Sequence, residues 1–179
     1  MIATSPPRPP TGEHSPYYGR YIALVPDGDL VATLVRQGEE TATLLASLTE
    51  RQARYRPAPG EWETVEIVGH LADTERVLAY RALRIARRDP TPLEGVGDFD
   101  AYVAAAAFDG RTLADVAAEF AAVRQASLAL FRSLDPAAWA RVGVADGERV
   151  SVRALGYIVA GHELHHLADL RRYRTEADS

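Results

Sequence analysis

Residues 152–174 read VRALGYIVAGHELHHLADLRRYR. At about 100° per residue the stretch forms one amphipathic helix, and Leu155, His162, His166, Asp169 and Tyr173 share a narrow stripe along it. Ser151 is placed to cap it. The two histidines therefore sit in the middle of the face expected to be buried. Side chains four residues apart are neighbours on a helix, so their imidazoles can converge on one ion. His165 points roughly 100° away from His166 and is expected at the rim, supporting the ligands from outside.

The same periodicity recurs upstream. A first helix is expected over 29–53, capped by Asp27 or Asp29, with the stripe Leu30, Leu34, Thr41, Leu45 and Leu48. Gly38 and Thr41 narrow that stripe, either for close packing or to leave room beside a site. A second helix is expected over 65–88, with Thr64 as cap and Glu66 in its first turn. A third is expected over 113–133, opened by a Thr112–Asp115 capping box in which Asp replaces the usual Glu or Gln. RPAPGEW at 56–62 is punctuation between helices, and Asp146-Gly147 suits a small hairpin. Residues 91–110 are rich in Gly, Asp and Pro, with one short helix in DAYVAAAA. Four long amphipathic helices without a strand series predict an all-α four-helix bundle, and the long 89–111 connection permits a crossover between helices 2 and 3. Residues 1–16, with five prolines, are expected to form a flexible arm, and 17–179 a single domain. The tyrosines Tyr17, Tyr18 and Tyr21 mark a segment that docks on the body.

The 179-residue chain has a formal net charge of −5 and no cysteine, which excludes disulfides, thiolate metal sites and a protein thiol nucleophile. That composition suits the cytoplasm. No apolar run is long enough to predict a membrane span. The mild acidity argues against nucleic acid as a partner. The one basic cluster, Arg81, Arg84, Arg87 and Arg88, reads as a solvated helix end whose cations oppose the dipole.

Two histidines do not close a transition-metal site, since three protein ligands plus an open position is the usual catalytic arrangement. His14 lies in the proline-rich arm. His70 sits on the second helix at the margin of its buried stripe, and facing helices of a bundle supply such ligands. The candidate set is His70, His162 and His166, with zinc or nickel the expected ion and iron also compatible. Asp73 and Asp169 each lie three residues beyond a proposed ligand and are candidates to orient it. HELHH at 162–166 also matches the H-E-x-x-H pattern of zinc proteases, with Glu163 as general base. Only thirteen residues follow His166, too few for the further ligand that those enzymes need. The protease reading is set aside.

GEWETVEIVGHLADTE at 60–75 and YIVAGHELHHLADL at 157–170 together resemble the DinB/YfiT-like family of metal-binding four-helix proteins, over about residues 17–174. The resemblance implies an up-down-down-up bundle, a homodimer in which the Tyr17–Tyr21 segment could reach across a neighbouring copy, and ligand positions at His70, His162 and His166. Thiol-transferase relatives with Glu at the position of His162 differ from this all-histidine version. The resemblance also implies a small-molecule substrate and a low-molecular-weight thiol as cosubstrate of a metal-dependent transferase. The alternatives are a metal-dependent hydrolase and a non-catalytic metal-binding stress-response module.

Overall fold

The computed structural model describes residues 5–179. Helix α1 spans Pro16–Leu24, with proline at a position where a missing N–H costs nothing. Helix α2 spans Leu30–Ala46, and the Asp29 carboxylate accepts from the Ala32 amide at 2.9 Å. The helix expected to run to residue 53 breaks here. The Ser47 hydroxyl donates to the Leu44 carbonyl, and Thr49 exchanges capping bonds with Gln52 to start a new turn, α3 (Glu50–Ala53). Local side-chain bonds thus outcompete continuation of the helix.

Helix α4 spans Thr64–Ala86 and begins one residue early, with Glu63 as cap and the Glu66 carboxylate accepting the Glu63 amide at 2.7 Å. Helix α5 spans Phe99–Ala106, within the stretch where a short helix was expected. Helix α6 spans Leu113–Arg132. Thr112 caps it by accepting from the Asp115 amide at 3.1 Å, but the reciprocal half of the box is missing. Asp115 instead accepts from the Thr112 hydroxyl at 2.6 Å, its side chain being one methylene shorter than that of Glu. A single turn, α7 (Pro136–Trp139), leads to the hairpin β1 (Val142–Ala145) and β2 (Glu148–Ser151). Its antiparallel register pairs Ala145 with Glu148, and Asp146 and Gly147 both take positive φ, as the tight turn requires. Ser151 then caps α8 (Val152–Glu176) at the Ala154 amide, 3.0 Å.

Helix α4 packs against both α6 and α8, and α2 closes the square against the same two. The ends of the helices give their directions. Tyr55, just before α4, meets Tyr173 near the end of α8, so α4 and α8 are antiparallel. Gln52, just after α2, donates to the Arg174 carbonyl, so α2 and α8 run the same way. Glu119 near the start of α6 accepts from Arg76 of α4 at 2.7 Å, and Phe108 before α6 lies against Gly69 near the start of α4. Helices α4 and α6 are therefore parallel neighbours joined by the long connection, and the topology is up-down-down-up. Among the described residues no helix is long and apolar enough to cross a membrane.

The proline-rich segment is extended but tied down. Arg8 donates to the Ile22 carbonyl of α1 and to that of Val25, the residue capping it, each at 2.6 Å. Glu13 pairs with Arg153 of α8, and the Ser5 hydroxyl accepts from the Leu30 amide at 2.7 Å. Pro6 and Pro9 are buried. The expected arm is thus anchored along residues 5–16, and the tyrosine segment, expected to dock on the body, packs on α8 of its own chain.

The apolar core forms two clusters, one around Leu34, Ile85, Phe131 and Ile158, the other around Val65, Leu71, Phe120 and Leu170. A polar layer lies between them. Arg124 of α6, 2% exposed, donates from Nε and Nη2 to Glu75 of α4 at 2.9 and 2.7 Å. Its Nη1 donates to Glu163 of α8 at 2.8 Å and to the Leu34 carbonyl of α2 at 2.9 Å. Thr41 of α2 donates to the other Glu163 oxygen at 2.7 Å. Gly38 makes room, since a β-carbon there would lie 3.2 Å from Cγ of Arg124. Removing one partner of such a group strands the others, at a cost of about 3–5 kcal/mol. Arg124→Leu should lower stability by that order in urea unfolding. Arg124→Leu combined with Glu75→Gln and Glu163→Gln should recover most of the loss, and equal losses in the two variants would refute the linkage.

Candidate metal centre

Three imidazoles meet where α4 faces α8. Nε2 of His70 lies 3.2 Å from Nε2 of His162, and a ring nitrogen of His166 completes a trio whose facing atoms all fall within 4.8 Å of one another. The spacing follows from the helices. His162 and His166 are one turn apart on α8, and the antiparallel α4 carries His70 to the same level. His70, expected at the margin of its stripe, is 5% exposed, and His162 is 8% exposed.

Aromatic rings hold the trio. Trp62, from the turn before α4, lies over His70 with ring centres 4.6 Å apart, and Phe99 of α5 meets the same ring edge-on at 5.1 Å. Tyr21 of α1 meets His162 at 5.4 Å. That contact needs Gly161, where a β-carbon would fall 2.0 Å from the Tyr21 carbonyl oxygen. Thr74 of α4 places its hydroxyl 3.4 Å from Nδ1 of His70. Trp62, Phe99 and Thr74 carried no sequence signal that set them apart from core and turn residues.

The supporting carboxylates divide. Asp169 lies 3.3 Å from Nδ1 of His166, outside good hydrogen-bond geometry, and is shared with Arg172. Asp73 pairs with Arg76 at 2.9 Å and is not among the groups that converge with His70. His165 is exposed at the rim, edge-on to Tyr21. Glu163, the general base of the zinc-protease pattern, is 1% exposed and locked into the polar layer by Thr41 and Arg124. It faces away from the cavity, so the zinc-protease reading of HELHH has no general base. Arg81, read as part of a solvated helix end, is 5% exposed and lines the cavity, whereas Arg87 and Arg88 are exposed as expected.

That cavity holds about 290 Å3 and opens beside the trio, walled by Tyr18, Tyr21, Trp62, Phe99 and Ile158. Its size approaches that of small-molecule sites. The donor set fits a borderline transition ion. Burial, reinforced by the charge of His166, holds His70 down to about 3, and burial likewise pushes His162 well below its ordinary value. Both rings are therefore neutral near pH 7 and offer lone pairs, as ligation by imidazole requires. The buried Nδ1 of His166 has no hydrogen-bond partner.

Fold and site together define a four-helix-bundle protein with a histidine-lined candidate metal pocket. The family model of the DinB superfamily matches residues 33–170, and the chain belongs to that superfamily. No curated protein sequence matches it. Among solved structures it is similar to YfiT from Bacillus subtilis, with a TM-score of 0.71 and 18% identity over 94% of this chain and 90% of that one. YfiT is described as a probable metal-dependent hydrolase with an unusual four-helix bundle topology. The chain is also similar to a DinB-like protein, YjoA, from Bacillus subtilis, with a TM-score of 0.60 and 20% identity over 84% and 92% of the two chains. At these identities the likeness concerns the fold.

The depressed histidine values carry a pH signature. Unfolded imidazole titrates near 6.5, so on acidification the unfolded chain takes up protons that folded His70 refuses until about pH 3. The contribution to stability is complete above about pH 6.5 and is lost as pH falls below it. The urea midpoint of the metal-free protein should therefore drop between about pH 7 and 5. A His70→Gln/His162→Gln variant should show a shallower drop, and equal slopes would contradict this assignment.

Proposed function

We propose that this DinB superfamily member is a metal-dependent enzyme that transfers a small thiol to an electrophile, with His70, His162 and His166 as the protein ligands of a divalent ion. One observation carries the reading: three imidazoles converge at the edge of a small-molecule cavity with no carboxylate joining their group. Such a donor set leaves a coordination position for an exogenous ligand. Zinc or nickel suits it best, and iron is compatible. A bound ion would supply Lewis acidity, lowering the pKa of a thiol or a water held on its open side.

The chain's own residues do the rest. His70 and His162 present unprotonated nitrogens, and Trp62, Phe99 and Tyr21 fix their rings while restricting water. Because the chain has no cysteine, sulfur nucleophilicity has to come from the cosubstrate. The cavity's aromatic and aliphatic walls suit an organic electrophile. A hydrolytic second reading is favoured by the likeness to YfiT, with water in place of the thiol.

Purified protein should carry one divalent ion per chain. His162→Ala or His166→Ala should lose it, and His165→Ala should keep most of it. Full occupancy in His162→Ala by elemental analysis would overturn the ligand set. In the cobalt-loaded protein a small thiol should produce a sulfur-to-cobalt charge-transfer band, and the metal-loaded protein should accelerate conjugation of that thiol with chlorodinitrobenzene. Glu163→Gln should affect the conjugation rate little beyond any loss of stability. Metal-dependent ester cleavage without conjugation would favour the hydrolase, and neither activity across a panel of thiols and esters would favour a non-catalytic module.

A further inference from the structure

Two arginines lie deep in this chain, and they are satisfied very differently. Arg124 has a carboxylate on either side. Arg81 of α4, 5% exposed, makes one side-chain hydrogen bond among the described residues: Nη2 donates to the Glu94 carbonyl at 2.8 Å. Among the described residues no carboxylate forms an ion pair with it. A carbonyl satisfies one N–H but does not neutralise a cation, and a buried charge without a counter-ion costs several kcal/mol. The Glu94 bond does tie the α4–α5 connection to the helix, which a neutral donor could have done as well.

Arg81 lines the same cavity as the three histidines. His70, Thr74, Leu78 and Arg81 follow one face of α4 at spacings of four, four and three, and all four line that cavity. Eleven residues of helical rise separate the backbones of His70 and Arg81 by roughly 16 Å. Side chains on a helix lean toward its N-terminus, which brings the long arginine back toward the imidazoles. A molecule occupying the cavity thus meets the histidine trio at one end and a single unpaired cation at the other.

We propose that Arg81 anchors a carboxylate on the substrate of this cavity, so that the enzyme takes an elongated acid whose reacting end lies at the histidines. The proposal rests on the cavity's being the substrate site. A carboxylate matches one guanidinium fork in charge and geometry. A phosphate dianion fits less well, because Asp98, Asp100 and Asp146 also line the cavity and would oppose the second charge. Those three carboxylates are exposed, so water and salt weaken their repulsion of either anion, and what remains is smaller for the single charge of a carboxylate than for a dianion.

The test uses the full-length, metal-loaded protein and the ω-mercaptocarboxylates from mercaptopropionate to mercaptodecanoate, each paired with its amide. Binding is read by titration calorimetry alongside metal content. The wild type should prefer the longer acids over their amides by about tenfold or more, as expected for a hydrogen-bonded ion pair. Arg81→Gln should bring acid and amide to parity with metal content unchanged, and Arg81→Lys should keep part of the preference. Thiol binding with no acid preference in the wild type would overturn the anchor and leave the thiol reading standing. A preference that survives in Arg81→Gln would also overturn it, assigning the carboxylate to the ion. Alkanoates without sulfur provide the converse separation. If they bind the wild type in an Arg81-dependent manner while thiols give no cobalt band, the anchor stands and the thiol reading fails. Should Arg81→Gln not fold, Arg81→Lys and the acid-to-amide ratio in the wild type still decide.

Discussion

A guanidinium enclosed among packed helices costs several kcal/mol unless its charge is matched and its N–H groups are bonded, and Arg124 places that demand on all four long helices at once. Its partners are Glu75 on α4, Glu163 on α8 and the Leu34 carbonyl on α2, with Thr41 completing Glu163. Burial disfavours its charge, but the bonds and charges of Glu75 and Glu163 outweigh that penalty and raise its pKa. Apolar packing tolerates a helix sliding by part of a turn far better than this network does, because a displaced carboxylate loses its bond and stays buried. The polar layer therefore sets the axial register of the bundle, and the two apolar clusters fill in on either side of it.

The histidine trio inherits that register. Glu163 and His162 are consecutive, so their side chains diverge by about 100° around α8. One enters the layer between α2 and α6, and the other faces α4 across the cavity. Anchoring Glu163 consequently fixes the height and rotation at which His162 meets His70. Burial pushes the Glu163 carboxyl up, and the Arg124 charge with the Thr41 bond pulls the other way. The residue that makes HELHH look like a protease motif is thus a structural neighbour of the site.

The N-terminal segment finishes what the bundle begins. Helices α4 and α8 supply the imidazoles, but the wall over His162 is Tyr21, which reaches it because Gly161 lets the α1 backbone approach α8 without an intervening side chain. Arg8 at the end of α1 and the Glu13–Arg153 pair hold that helix in place. The proline-rich stretch looks dispensable as sequence, yet it braces one side of the cavity.

Much of this was legible in the chain alone, for a definite reason. Helical periodicity depends only on local geometry, so the apolar stripes, the Ser151 and Thr112 caps, the Asp146-Gly147 turn and the pairing of His162 with His166 could be read without knowing any neighbour. The third histidine required one added premise, that a facing helix supplies it. What could not be read was anything set by a partner distant in sequence. Phe99 and Tyr21 come to the imidazoles from α5 and α1, far from His70 and His162 along the chain, and only the fold brings them there. Arg81 looked like one more cation at a helix end until the α4–α5 connection folded back over it. Glu75, Glu163 and Arg124 are ordinary charged residues on helical stripes, and their burial makes sense only together, because each is tolerated in the core solely in the presence of the others.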